Sequence, residues 1–393
     1  MSTDSSGQDR ATFVDGNCAS VLLLSMRRLH KQVAFSTQYE FEDVFAQVTG
    51  ADRAEADDRA ALERSRRAYK LARLATGSRR MGWALCPRAS TVRLGRDYDL
   101  FFAVFNNAYE LFALATLPDW RAHCRKAACF INEIHIGDMP VYLLELLVDF
   151  DHVFIGVDGG VDAVARIVGR PVSYLPLAVD ALGFAPSAGA PLRPIDICNI
   201  GRRSEVTHAA LVDLARNRRI FYYYDTVAAS GNDWKQRTFR VDSASEHRLL
   251  LASLLQRSRY FIANRGLVNH PEITRGWDII SNRFYEGAAA GTVMLGEPPR
   301  TEEFARQFDW SEAVIQLPFD SPDVGRVLEE LDRDPHRLER IRCDNVRNAA
   351  LRHDWVYRIR TVLETLGLPV TASMLAREAK LRVIADSGSQ PAL

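Results

Sequence analysis

Short continuous apolar runs alternate along this chain with stretches whose apolar side chains recur every third or fourth position, the periods of buried strands and of helices. SVLLLSM (20–26) reads as a strand, and QYEFEDVFAQVTG after it as a helix stopped by Gly50. A long helix is expected over 54–76, where Ala, Leu and Arg alternate at helical intervals. YDLFFAVF (98–105), KAACFINEI (126–134) and FDHVFIGV (150–157) follow as buried strands, with VYLLELLVD (141–149) as an apolar helix. The alternation restarts with strand IDICNIG (195–201), a helix over 205–216, strand RRIFYYYD (218–225), a helix over 245–256 and strand SRYFIAN (258–264). A helix over 282–290, strands TVMLG (292–296) and AVIQLPF (313–319), and helices from 322 onward complete it, among them 354–366 and 371–384. This order predicts an α/β protein with parallel sheets covered by helices.

At 393 residues the chain exceeds the ~100 to 200 of an ordinary domain, so two are expected. SAGAPLRP (187–194), rich in Pro and Ala and without periodicity, is the expected linker between a first domain at 18–186 and a second at 195–366. A helix within 367–384 is expected to return to the first domain, and the polar ends, 1–17 and 385–393, to fray. Fifty basic residues balance fifty acidic ones, which removes any bulk electrostatic reason to expect nucleic acid as partner. The six cysteines form no CxxC pair and no metal-ligand spacing, so reduced thiols and no metal site are expected. No apolar run approaches the ~18 residues of a membrane span, which points to a cytoplasmic protein.

In open parallel sheets ligands gather beyond the carboxyl ends of the strands, and five such loops carry candidate chemistry. In NIGRRSEVTH, Gly201 lets backbone amides approach an anion, while Arg202 and Arg203 offer fork-shaped donors for phosphate; two solvated arginines after a turn fit the same residues. In GWDIISNRFYEGAAAGTVMLGEPP, Asp278 and Glu286 could accept hydrogen bonds from hydroxyls, with the small residues 287–290 leaving room for a flat ligand. The alternative there is a carboxylate favouring a helix start and alanines packing against a neighbour. NRGLVNHPEITRGW (264–277) offers Asn264, Gly266 and Arg275 for a diphosphate or sugar, or is a plain surface loop. FINEIHIGDMP places Glu133 and His135 after a strand, either as an acceptor-side base or as solvent-facing polar groups. IGVDGGVDAVARIVG lacks the G-x-G-x-x-G spacing of a dinucleotide site, so its glycines read as a turn and no nicotinamide or flavin is expected. Tyr222, Tyr223 and Tyr224 are expected in the core or as a wall for a base, and His353 and Trp355 as packing anchors.

The arrangement D-x7-E-G-A-A-A-G-T-V, from Asp278 through Glu286 to Val293, resembles the E-x7-E element of retaining glycosyltransferases of the GT-B fold. With FDSPDVGRVLEELDRDPHRLERI and LRHDWVYRIRTVLETL, it is similar to group-1 glycosyltransferases related to the spore-maturation glycosyltransferase-like proteins. The resemblance covers 195–366 and extends more faintly to YLPLAVDALGFAP, which looks like the end of the N-terminal domain in such enzymes. It implies two Rossmann-like domains facing across a cleft, with the C-terminal helices crossing back to the first. It further implies hexosyl transfer from a nucleotide-diphosphate sugar, held by the second domain, to a glycan, lipid-linked or small-molecule acceptor on the first. Glu286 would hold the ribose, Asp278 the sugar hydroxyls and Arg202 the leaving diphosphate. The family's lysine position is Thr207 here, which leaves Arg203, His208, Arg265 or Arg283 to supply a second positive charge. Asn264, Gly291 and Thr292 complete the donor set. No cofactor and no metal are implied, and the place of action is the cytoplasm, free or at the inner membrane face. The rival readings are a non-catalytic sugar-nucleotide-binding protein and a sugar-nucleotide epimerase or hydrolase of the same fold.

Overall fold

The computed structural model describes residues 19–87, 94–117, 119–134, 141–186, 192–226, 240–269 and 278–387. Within them two sheets form, and every strand pairing in both is parallel. The first contains β1 (Val21–Ser25), β2 (Asp52–Glu55), β3 (Tyr98–Asn107), β4 (Cys124–Glu133), β5 (His152–Ile155) and β6 (Val172–Tyr174), in the order β2-β1-β3-β4-β5-β6. The second contains β7 (Ile195–Asn199), β8 (Tyr222–Tyr224), β9 (Ser258–Ile262), β10 (Val293–Gly296) and β11 (Ile315–Gln316), in the order β11-β10-β9-β7-β8. The helices that matter below are α1 (Ser36–Thr49), α2 (Arg59–Thr76), α3 (Val161–Val168), α4 (Ala181–Phe184), α5 (Glu205–Arg216), α6 (Ala244–Gln256), α7 (Asn282–Ala289), α8 (Pro335–Arg352), α9 (Trp355–Thr365) and α10 (Ala372–Ser387).

The central strands are apolar without alternation because helices cover both faces: Leu100 through Phe105 in β3 are all buried. Helix starts follow their caps. Asp58 accepts a hydrogen bond from Ala61 N at the start of α2, and Ser204 accepts one from Thr207 N at the start of α5. Gly50 ends α1 at φ +68°, a left-handed conformation that a side chain would strain. The helix expected from 54 begins at 59, because Asp52–Glu55 pairs with β1 as an edge strand. Its polar sequence, DRAE, carries no apolar period and therefore no sequence signal.

The chain meets the first domain again in α9 as well as in α10. Asp354 bridges to Val179, and α9 and α10 both pack on α1. The buried face of α9 (Trp355, Val356, Ile359, Val362, Leu363) joins Phe41 and Phe45 of α1 in an apolar cluster that also contains Phe261 and Met294 of the second domain. Arg377 of α10 donates from Nε to Asp354 Oδ1 (2.8 Å) and from Nη2 to Asp354 Oδ2 (2.7 Å), and its Nη2 also reaches Asp180. Five residues of the expected linker, 187–191, lie outside the described residues.

Candidate functional site

Each sheet reverses its strand order once, between β1 and β3 in the first and between β7 and β9 in the second. Crevices form beyond the carboxyl ends of strands at such reversals. A cavity of about 920 Å³ lies between the two domains, lined from the first by Thr37, Asn132, Glu133 and Gly156 and from the second by Gly201, Arg202, Tyr224 and Asp225. Its size is that of small-molecule sites, about 300–1,000 Å³.

Gly201 adopts φ +76°, and a Cβ there would collide with the Arg283 guanidinium. The glycine thus serves both the turn and the close approach of a cation. Its N–H donates to Asp225 Oδ2, so this amide is turned to the protein rather than to a ligand. Arg202 lines the cavity; desolvation lowers its pKa from the ordinary value, opposed by the charge of Glu133 across the cleft. Arg203 lies with Cζ 5.4 Å from the centre of the Tyr224 ring and Nη1 3.9 Å from Asp225, and that buried Nη1 has no hydrogen-bond partner. Arg283 lines the cavity and donates from Nε to Ile200 O (3.2 Å). Burial lowers its pKa, opposed by Glu286. An incompletely paired set of guanidiniums at a helix start is suited to a diphosphate.

Glu286 is 5% exposed on α7 and lines the same cavity. Arg248 of α6 donates to one of its oxygens, Oε1, and to Glu40 of α1. The small residues after Glu286 do not line the cavity. Gly287 sits against Met294 and Phe261, where a Cβ would lie 2.7 Å from Met294 Sδ, and Ala288 to Ala290 are buried where α7 meets β10 and α8. Close packing explains them, not a seat for a flat ligand. Tyr223 and Tyr224 line the cavity wall, whereas Tyr222 is buried with His208 Nδ1 2.9 Å from its hydroxyl.

Other predicted residues are placed elsewhere. Asp278 accepts from Arg265 Nη1 (2.9 Å) and from Arg300 N (2.9 Å), Arg265 also pairs with Glu297, and none of these residues lines the cavity. Asn264 accepts from Glu297 N (2.8 Å), tying the ends of β9 and β10 together. Gly291, at φ +63°, abuts Val346 and Arg193, and Thr292 is fully buried with its hydroxyl on Gly287 O (3.0 Å). The geometry brings Gly201, Arg202, Arg283, Glu286 and Glu133 together and assigns Asp278, Arg265, Asn264, Gly291 and Thr292 to holding the second sheet's loops. Glu133 ends β4 at the cleft; His135 and Arg275 fall outside the described residues.

Arg248 and Glu40 were not singled out from the sequence. The available signal is an arginine within an apolar stripe: Arg248, Leu251, Ala252 and Leu255 are the buried residues of α6. Among the described residues no helix is long and apolar enough to cross a membrane, and no group of three or more His, Cys, Asp or Glu could hold a metal ion.

Residues 202–364 match the glycosyl transferase-like family, a stretch that begins at the cleft arginine and ends in α9. No curated protein matches the sequence. Among solved structures, the Anabaena protein HepE in complex with UDP-glucose aligns with TM-score 0.50 and 12% identity, over 89% of this chain and 99% of that one. An alpha-glucosyltransferase in complex with UDP and a 13-mer DNA aligns with TM-score 0.48 and 10% identity, over 89% and 100% of the two chains. The trehalose 6-phosphate synthase of Burkholderia multivorans aligns with TM-score 0.42 and 12% identity, over 96% and 100%. The chain has the GT-B fold, two parallel-sheet α/β domains, as the first of these alignments shows.

Proposed function

We propose that this protein transfers a sugar from a nucleotide-diphosphate sugar to an acceptor hydroxyl, with the donor on the second domain and the acceptor on the first. The observation carrying this reading is the convergence of Arg202, Arg283 and Glu286, all within the segment that matches the glycosyl transferase-like family, with Glu133 of the first domain on one interdomain cavity. The diphosphate lies against Arg202 and Arg283, with Arg203 beside them. Fixed guanidiniums stabilise the charge that develops on the leaving group, which is the largest catalytic contribution in such a site. The donor's ribose hydroxyls donate to Glu286. Glu133, at the cleft end of β4, orients or deprotonates the acceptor hydroxyl. Charge neutralisation is assigned to these arginines, so we expect turnover to survive a chelator. HepE, the similar structure, was solved with UDP-glucose, which makes uridine nucleotides the first to try.

Thermal-shift measurements with UDP, dTDP, GDP, ADP and CDP test the donor site. One of them is expected to stabilise the native protein, and Glu286→Ala to abolish that shift while the protein stays folded. An undiminished shift in this variant would contradict the site. Release of nucleoside diphosphate from the sugar nucleotide only when an acceptor is supplied identifies a transferase; tight binding without turnover across acceptors identifies a sensor.

A further inference from the structure

We propose that Arg248 is a positioning residue that sets the Glu286 carboxylate for the nucleotide sugar only while Glu40 of the first domain is docked, tying donor affinity to the arrangement of the two domains. The inference rests on the nucleotide site proposed at Glu286. Arg248 is 7% exposed and stands between two carboxylates from different domains. Its Nε donates to Glu40 Oε2 (2.7 Å), its Nη1 donates to Glu286 Oε1, and its Cζ lies 4.7 Å from the centre of the Phe184 ring of α4. Burial by itself would lower the pKa of the guanidinium, but the charges of Glu40 and Glu286 outweigh it and raise it. A cation so enclosed stays charged and divides itself between the two acids.

The placement of Glu40 makes the coupling readable. Glu40 does not line the donor cavity; it lines a separate one of about 460 Å³, and Arg248 is a wall of both. Whatever Glu40 does to a ligand near Glu286 therefore passes through Arg248. Glu40 is itself fixed by Trp355 Nε1 (2.9 Å) and Asp180 N (2.8 Å), groups on the returning helix and on the segment leading out of the first domain. A second contact crosses the same seam, from Asn282 Nδ2 to Thr37 Oγ1 (3.0 Å). With the domains docked, Arg248 spends one edge on Glu40 and reaches only one oxygen of Glu286, leaving the other for a diol. With Glu40 withdrawn, the planar guanidinium, whose buried Nη2 has no hydrogen-bond partner in the docked arrangement, can turn two parallel N–H groups to Glu286 and compete with the ligand's hydroxyls. By reciprocity, a donor bound at Glu286 then favours the docked arrangement.

The test is isothermal titration of the native protein with the nucleoside diphosphate that binds it best among UDP, dTDP, GDP, ADP and CDP. Glu40→Gln, a change outside the donor cavity, is expected to weaken binding about 10-fold and to raise the donor KM while leaving kcat nearly unchanged. In an Arg248→Gln background, which removes the link the coupling runs through, the same Glu40→Gln change is expected to have no further effect. Unaltered affinity in Glu40→Gln, or losses that simply multiply in the double variant, would overturn the proposal. Failure of the wild-type protein to bind any of the five overturns the nucleotide site itself instead. If Glu40→Gln does not fold, Trp355→Phe, which removes one donor from Glu40 without changing charge, is titrated in its place, and unchanged affinity there counts equally against the coupling.

Discussion

Glu42 shows how a single buried side chain sets the pH response. It is 1% exposed on α1, accepts from Ser25 Oγ (2.5 Å) and lies 3.7 Å from Arg27 Nε. Burial pushes its carboxyl up to about 8, with the Ser25 hydrogen bond and the Arg27 charge only partly opposing. The native state therefore keeps a proton that the unfolded chain releases near its ordinary value. Stability from this group is complete below the unfolded pKa and is lost as pH rises through the native one. Between pH 5 and 8 unfolding free energy is expected to fall by up to about 1.4 kcal/mol per unit from Glu42 alone. Glu42→Gln should flatten that slope in urea titrations across the range; an identical slope would mean that the carboxyl is ionised in the native protein. At the same scale, Gly201 is constrained twice, by its left-handed φ and by the guanidinium of Arg283 in the space a Cβ would take.

Among the elements, α7 best shows the limits of spacing. Its sequence, NRFYEGAA, marks the helix and carries the acidic group that lines the cleft, and the helix could be located without coordinates because it depends on neighbours in the chain. Which way the small residues face depends on β10 and α8, and spacing does not encode that. Gly287→Val is expected to overpack the contact with Met294 and Phe261 and to cost about 1–3 kcal/mol in thermal unfolding, with nucleotide affinity of the folded protein retained. Loss of affinity without loss of stability would return these residues to the ligand. Apolar runs made β3, β4 and β9 legible, and AVIQLPF located β11, although only Ile315–Gln316 of that run pairs as strand; β2 was hidden by a polar edge sequence. Asp278 and Glu286 stand at a familiar spacing, yet one carboxylate is turned to Arg265 and the other to the cleft. Spacing alone cannot distinguish a carboxylate that lines a cavity from one held among loop residues.

Across the whole molecule, two ion-pair networks tie distant stretches of sequence together, and neither has a local sequence signal because each includes a pair about two hundred residues apart, 208 for Glu40 and Arg248 and 197 for Asp180 and Arg377. Glu40–Arg248–Glu286 joins the domains at the cleft, and Arg377–Asp354–Asp180 fixes α10 to the crossing point. Asp354 is fully buried, so Arg377→Ala would leave an unpaired interior charge. That variant is expected to lose about 3–5 kcal/mol in denaturant unfolding, and limited proteolysis should then cut within α10. Full native stability would show that Asp354 finds another partner. The crossing also fixes the sequence of events during synthesis. Phe41 of α1 touches Phe102 and Phe130 of the first sheet on one side and Trp355 of α9 on the other, so part of the α1 surface is covered only by α9 and α10, which leave the ribosome more than three hundred residues later. The opening half of the polypeptide emerges with an oily face uncovered and waits for the last helices to seal it, so a nascent chain halted before residue 354 presents that face to whatever surrounds it.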